Sequence, residues 1–189
     1  MGHLSEEDRK RLEELRDPAQ LGILQDEYPT KLDLSNGIIA VVCADGDQFE
    51  DKHGHLAEIV NNAIGRPRVH TISLNGGPLL LSFKSPAYQC IESHDQVHEF
   101  LVNQIAVGQK IKDMNTVVLC THAPCGVAGL CGMDINAVLD HLVEAKQDLK
   151  ERLGETTKIA CFLHVDYGDG KKRSYFVSAS RWLKYRSMV

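Results

Sequence analysis

Several features that would classify a chain at a glance are missing here. No apolar stretch approaches the roughly 18 residues expected of a membrane span. No dense lysine or arginine block offers a nucleic-acid surface, and the net charge is −5. There is no internal repeat and no low-complexity segment. The start, MGHLSEEDRKRLEEL, has no apolar core and so does not read as a secretory signal. Glu6 stands where a myristoylation signal wants serine or threonine. A cytoplasmic location is expected on these grounds. In that compartment the six cysteines read as metal ligands or buried thiols rather than disulfides. With 43% hydrophobic and 25% charged residues over 189 positions, the chain suits one sizeable core and not two full domains.

What is present alternates. Residues 1–36 read as an N-terminal arm, opened by a capping box at Ser5–Asp8 and closed before Pro18. Its apolar stripe is only Leu12 and Leu15, so the arm is expected to pack on something else, such as a second subunit. Residues 37–189 read as an α/β domain. IIAVVCAD, from Ile38, is a continuous apolar run of buried-strand character. HGHLAEIVNNAIG puts Leu56, Ile59, Val60, Ala63 and Ile64 on one helical face, with Gly65 as the stop. VHTISL is a second strand, and Ser93 with Gln96 caps a second helix. TVVLCTH, from Thr116, is a third strand, followed by the clearest helix of all, with Val138, Leu142, Ala145, Leu149 and Leu153 near a 3.6-residue period. Lys158-IACFLHVDY and Arg173-SYFVSA, joined by Gly168-Asp169-Gly170, complete the set as an antiparallel pair. The expected fold is α/β: a mainly parallel five-stranded sheet with its last strand antiparallel and helices on both faces.

Open sheets of this kind bind ligands beyond the carboxyl ends of strands where the strand order reverses. The first strand ends at Cys43, and the third ends at His122 in VVLCTHAPCG. If those strands are neighbours, Cys43, His122 and Cys125 meet. Two thiolates and an imidazole suit Zn²⁺ in a tetrahedral site with one position open. The competing reading makes Cys43 and Cys125 small buried hydrophobes and His122 a hydrogen-bonded core residue. Cys120, Cys161 and Cys90 suit that second description, and Cys131 is a conceivable substitute ligand.

The same segments resemble β-class carbonic anhydrases, from about Ile38 to Ala179. The family's C-x-D-x-R motif corresponds to Cys43-Ala44-Asp45-Gly46-Asp47. Its R-N-x-[GA]-N-like segment corresponds to Leu74-Asn75-Gly76-Gly77-Pro78, and its G-H-x-x-C-G to Thr121-His122-Ala123-Pro124-Cys125-Gly126. The resemblance implies a zinc lyase that hydrates CO₂ reversibly to bicarbonate through zinc-bound hydroxide. It implies Cys43, His122 and Cys125 as metal ligands, Asp45 beside the metal orienting or gating the water, and a homodimer or higher homo-oligomer. Asn75, Gly76 and Gly77 have a substrate-binding case, since glycine admits a small ligand and an asparagine amide can bind bicarbonate. N-G-G-P is equally a sound turn.

One position departs from the pattern: Asp47 occupies the arginine's place. Exchanging a cation for an anion changes the local charge by two units, each worth on the order of 3 kcal/mol at ~5 Å and an effective dielectric of ~20. The sign opposes hydroxide and bicarbonate alike. Either Asp45 swings onto the metal and leaves a silent zinc-binding homologue, or another cation substitutes, with Arg66, Arg68 and Lys84 nearest in sequence, or Asp47 points to solvent. Related electrophiles such as carbonyl sulfide or carbon disulfide are an alternative substrate class. Loop histidines His53 and His55 are either proton shuttles or part of a solvated helix start. His94 and His98 are either a chelating pair or a polar helix face, and His164 reads as structural.

Overall fold

The structure, a computed structural model, describes residues 3–26, 32–90, 94–168 and 170–189, excepting the side chains of residues 89–90 and 94–95. The chain begins with α1 (Glu6–Arg16), whose cap Ser5 accepts a hydrogen bond from the Asp8 N–H. A two-residue strand, β1 (Leu24–Gln25), follows. Then come β2 (Ile38–Cys43), α2 (Gly46–Ile64) and β3 (Val69–Leu74). Two short 3-10 turns, Gly77–Leu81 and Pro86–Cys90, lead into α3 (His94–Lys112) and β4 (Thr116–Ala123). The chain finishes with α4 (Gly126–Leu130), α5 (Ile135–Leu153), β5 (Lys158–Asp166), β6 (Lys172–Val177) and α6 (Ala179–Arg186).

The strands form one six-stranded sheet in the order β1-β6-β5-β4-β2-β3. β3, β2, β4 and β5 run parallel, and β6 is antiparallel to β5. Every residue of β2 and β4 is buried, as expected of central parallel strands covered on both faces. Alternation divides their side chains. Ile39, Val41, Val117 and Leu119 face the larger core, which includes Leu101, Ile105 and Leu142 of α3 and α5. Ile38, Ala40, Val42, Val118 and Cys120 face a smaller one built on Leu56, Ile59 and Val60 of α2.

The expected α/β architecture holds, with one strand added. β1 pairs Leu24 with Val177 and Gln25 with Phe176. Two residues are too few to carry a period-two signal, so this strand could not be read from the pattern. The arm also needs no second subunit to cover it: Leu12 and Leu15 are 0% exposed within this chain's own main core, the core that also holds Tyr175, Val177 and Trp182. α2 starts well before HGHLAEIV, at Gly46, because Asp45 caps it by accepting from the Asp47 N–H. His53 and His55 are therefore helical rather than loop residues. His53 stacks on Phe49, and His55 meets the edge of Phe162. The Ser93 cap and Asp169 lie outside the described residues. Among the described residues no helix is long and apolar enough to cross a membrane.

Because the arm's leucines are core residues, truncating one should be felt globally. Leu12→Ala or Leu15→Ala should each lower the unfolding free energy by about 3 kcal/mol, read from urea denaturation. An effect under about 0.5 kcal/mol would mean the arm is a detachable appendage.

Candidate metal centre

Parallel pairing brings the predicted donors together. Val42 lies opposite Cys120 across the β2–β4 ladder. Cys43, the last residue of β2, is thus level with Thr121 of β4, and His122 comes one residue further on. Three residues beyond His122, the chain presents Cys125 at the start of α4. The ligand atoms of Cys43, His122 and Cys125 all lie within 4.8 Å of one another, and all three residues are buried. Sulfur and nitrogen donors at about 2.3 and 2.0 Å from a tetrahedral zinc would sit somewhat under 4 Å apart, so the cluster is close to the size the ion requires.

The chemistry of the donors also fits. Neither ring nitrogen of His122 has a hydrogen-bond partner among the described residues, although the residue is 0% exposed. An imidazole so buried and so unpartnered is costly unless it ligates something. The two thiols perturb each other in opposite directions. Cys43 is drawn well below the usual thiol range, first by a hydrogen bond from Cys125, against the opposing effect of burial, with help from His122 and from the Gly76 N–H. Cys125 is pushed up, first by its bond to the Cys43 sulfur and then by burial. The Val127 and Ala128 N–H groups favour the Cys125 thiolate, although no hydrogen bond of ordinary geometry caps α4 from that side chain.

Asp45 stands at the rim. Its Oδ1 accepts from the Asp47 N–H at 3.0 Å, and its Oδ2 lies 3.8 Å from His122 Nε2. The carboxylate belongs to the helix cap and falls outside the group of three donors. Asp47 is exposed, and its carbonyl accepts from Lys172 Nζ at 3.2 Å. Of the cations nearest in sequence, Arg68 is engaged at the opposite end of the sheet, on the Asn36 and Lys112 carbonyls. Lys84 pairs with Glu144, and Arg66 is exposed just past α2.

The segment Asn75-Gly76-Gly77 packs directly against Cys43. Gly76, at φ 85°, donates its N–H to the Cys43 sulfur at 3.3 Å. Gly77, at φ 51°, comes so close that a Cβ there would lie 2.6 Å from the Val42 carbonyl carbon and would overlap the Cys43 backbone nitrogen. Asn75 is exposed. The alternative histidines and cysteines lie elsewhere. His98 is 1% exposed, bonded through Nε2 to Asp148 at 2.8 Å and stacked on Phe83, so it ties α3 to α5 and is not part of a polar face. The side chains of His94 and Cys90 lie outside the described residues. Cys131 directs its thiol to the Pro86 carbonyl. Cys120 and Cys161 are buried strand thiols, each raised to about 12 by burial. His164 bonds Ser174, and burial lowers its pKa to about 4.

Sequence reasoning missed Gln48, Lys52 and Arg9. Gln48, 5% exposed, donates its amide to the Pro124 carbonyl at 3.1 Å, leaving Oε1 without a partner. The Pro124 carbonyl can only accept, which fixes the amide's orientation and makes the free atom an acceptor. Gln48 lines a cavity of about 360 Å³ with Asp45, Asp47, Pro124 and, from the arm, Leu4 and Arg9. Lys52 is buried and donates to the Cys43 carbonyl at 3.2 Å.

No protein-family model matches this chain, and no curated protein sequence does. The solved structures to which its fold is similar include three carbonic anhydrases. Carbonic anhydrase from Streptococcus mutans shares 13% identity at a TM-score of 0.45, over 92% of this chain and 99% of its own. β-Carbonic anhydrase isoform I from Trichomonas vaginalis shares 12% identity at 0.44, over 92% and 99%. The β-carbonic anhydrase CafA of Aspergillus fumigatus shares 13% at 0.42, over 96% and 89%. These likenesses are distant.

Two outcomes are expected of the centre itself. Ligation needs both thiolates, and the Cys43 sulfur together with burial opposes ionisation of Cys125. Zinc must displace a proton from Cys125, so affinity should rise about tenfold per pH unit between pH 7 and 8; a chelator competition that is flat with pH would contradict the raised Cys125 thiol. Gly77→Ala should displace the end of β2, lowering stability by about 2 kcal/mol or more and weakening zinc binding in the same competition.

Proposed function

We propose that this protein is a zinc-dependent, carbonic anhydrase-like enzyme that hydrates CO₂ reversibly to bicarbonate. One observation carries the reading: Cys43, His122 and Cys125 converge as a buried three-donor set, while Asp45 stands beside it and outside it. That arrangement supports a metal with one position left for water, and the bond from the Asp47 N–H to Asp45 Oδ1 supports the reading in which this carboxylate stays on the helix cap. The motif order around Cys43, Asn75 and His122 supports the same reading. Zinc, when bound, would supply a Lewis acid that acidifies water toward neutral pH.

The rest is the work of the chain's own side chains. Asp45 is restrained by its cap bond at Oδ1, so Oδ2 is the atom left to accept a hydrogen bond from water at the site. Gln48 Oε1 is a second acceptor on the same cavity. Together they would turn a water's protons toward the protein and its lone pair toward the substrate. The cavity of about 360 Å³ admits a small electrophile with room for water. Gly76 holds the Cys43 sulfur and Gly77 keeps the loop tight against it, so Asn75, at the exposed edge, is the member of that segment left to meet a product oxygen. A cytoplasmic homo-oligomer belongs to this reading. The exposed Phe100, Val107 and Ile111 recur on one side of α3 and offer an apolar face for a second copy.

The experiment is stopped-flow CO₂ hydration on zinc-loaded protein between pH 7 and 9. Catalysis clearly above buffer is expected, and a rate equal to buffer would overturn the proposal. Asparagine caps helices as well as aspartate, so Asp45→Asn should keep the fold and the zinc while lowering kcat by about a hundredfold.

A further inference from the structure

Lys52 is 1% exposed, and it is the one lysine, arginine or carboxylate residue in the buried class among the described residues. It rises from α2 on the sheet face that carries Val118 and Cys120. By alternation along β4, His122 shares that face. Its Nζ donates to the Cys43 carbonyl at 3.2 Å. Among the described residues this is its single hydrogen bond, and no carboxylate lies within ion-pair reach of it. The ammonium lowers the cost of ionising the neighbouring Cys120 thiol and opposes a proton on His164, so its charge is felt across the crest of β4 and β5.

A lysine withdrawn from water with one neutral acceptor is an unfavourable arrangement unless negative charge lies close by. The residue whose carbonyl it holds, Cys43, carries one of the two sulfurs that can supply such charge. Once Cys43 and Cys125 are both thiolates, they carry two negative charges at the end of the strand whose last carbonyl Lys52 holds. A dication with an anionic fourth ligand would leave that centre one charge negative overall. The exposed Asp47 at its rim cannot offset it, and Arg66, Arg68 and Lys84 are engaged elsewhere or exposed. Lys52 is in place to do so.

We propose that Lys52 is the positioning cation of the metal centre. Its buried positive charge, held on the Cys43 carbonyl, offsets the two thiolates and strengthens their grip on zinc, a role that rests on the metal-centre reading above. Lys52 touches no substrate. It acts through Cys43 and through the field at the donors.

The test compares wild type, Lys52→Met and Lys52→Gln. Methionine removes both charge and hydrogen bond at similar length, while glutamine keeps a donor for the Cys43 carbonyl without the charge. Zinc affinity is measured by competition with a chromophoric chelator, and the melting temperature of the metal-free protein is measured in parallel. Both variants should bind zinc at least tenfold more weakly than wild type, while their metal-free melting temperatures stay level or rise, since an unpaired buried charge has been removed. A merely structural lysine gives the opposite pattern: lower metal-free stability and unchanged affinity. Glutamine matching wild type in affinity would overturn the charge role and leave only the hydrogen bond. Wild type that binds no zinc would instead sink the metal centre itself, an outcome distinct from variants that bind zinc as tightly as wild type. If the methionine variant fails to fold, the glutamine variant carries the comparison.

Discussion

The parallel pairing of β2 with β4 governs the functional end of this molecule. Both strands are buried along their full length, so their register is fixed by two cores at once, and a slip of one residue would reverse every side chain. Cys43 and His122 are the groups on which that register ends. A donor at the last residue of one strand and another just past the level of its neighbour can meet only if the ladder is in place. The third donor follows after the two-residue spacer Ala123-Pro124. The donor cluster, the cap at Asp45 and the close approach of Gly77 all inherit their geometry from the same few backbone hydrogen bonds.

Charge is the second constraint. With both cysteines ionised on a metal, two thiolates, a carboxylate cap and the exposed Asp47 would give the rim a negative bias, and the arginines and lysines nearest in sequence do not relieve it. The compensation comes from below, through a lysine that ordinary packing would expel to solvent. Gln48 and Lys52 occupy successive positions of α2 that look inward together with Leu56, Ile59 and Val60. One helix face is therefore apolar along its later turns and polar where it reaches the donor cluster.

That division explains what was legible beforehand. The α/β alternation, the helix at Val138–Leu153 and the donor set could be read because each depends on a strong local signal plus one topological rule. β1 could not, since two residues carry no period. The first turns of α2 were missed because the apolar stripe begins only at Leu56. A different signal was available: Asp45 followed three residues later by Gln48 has the spacing of an N-terminal cap. Starting the helix there places Gln48 and Lys52 four apart on the buried face. Arg9 had no such signal, because its position at the cavity depends on how the arm folds back across the sheet.

The arm has a practical consequence. Leu4 and Arg9 line the same cavity as Asp45 and Gln48, while the carboxyl-terminal Val189 is 79% exposed. A fluorophore or affinity handle fused ahead of the first helix would crowd that cavity. The exposed carboxyl-terminal end is the attachment point that leaves the cavity clear.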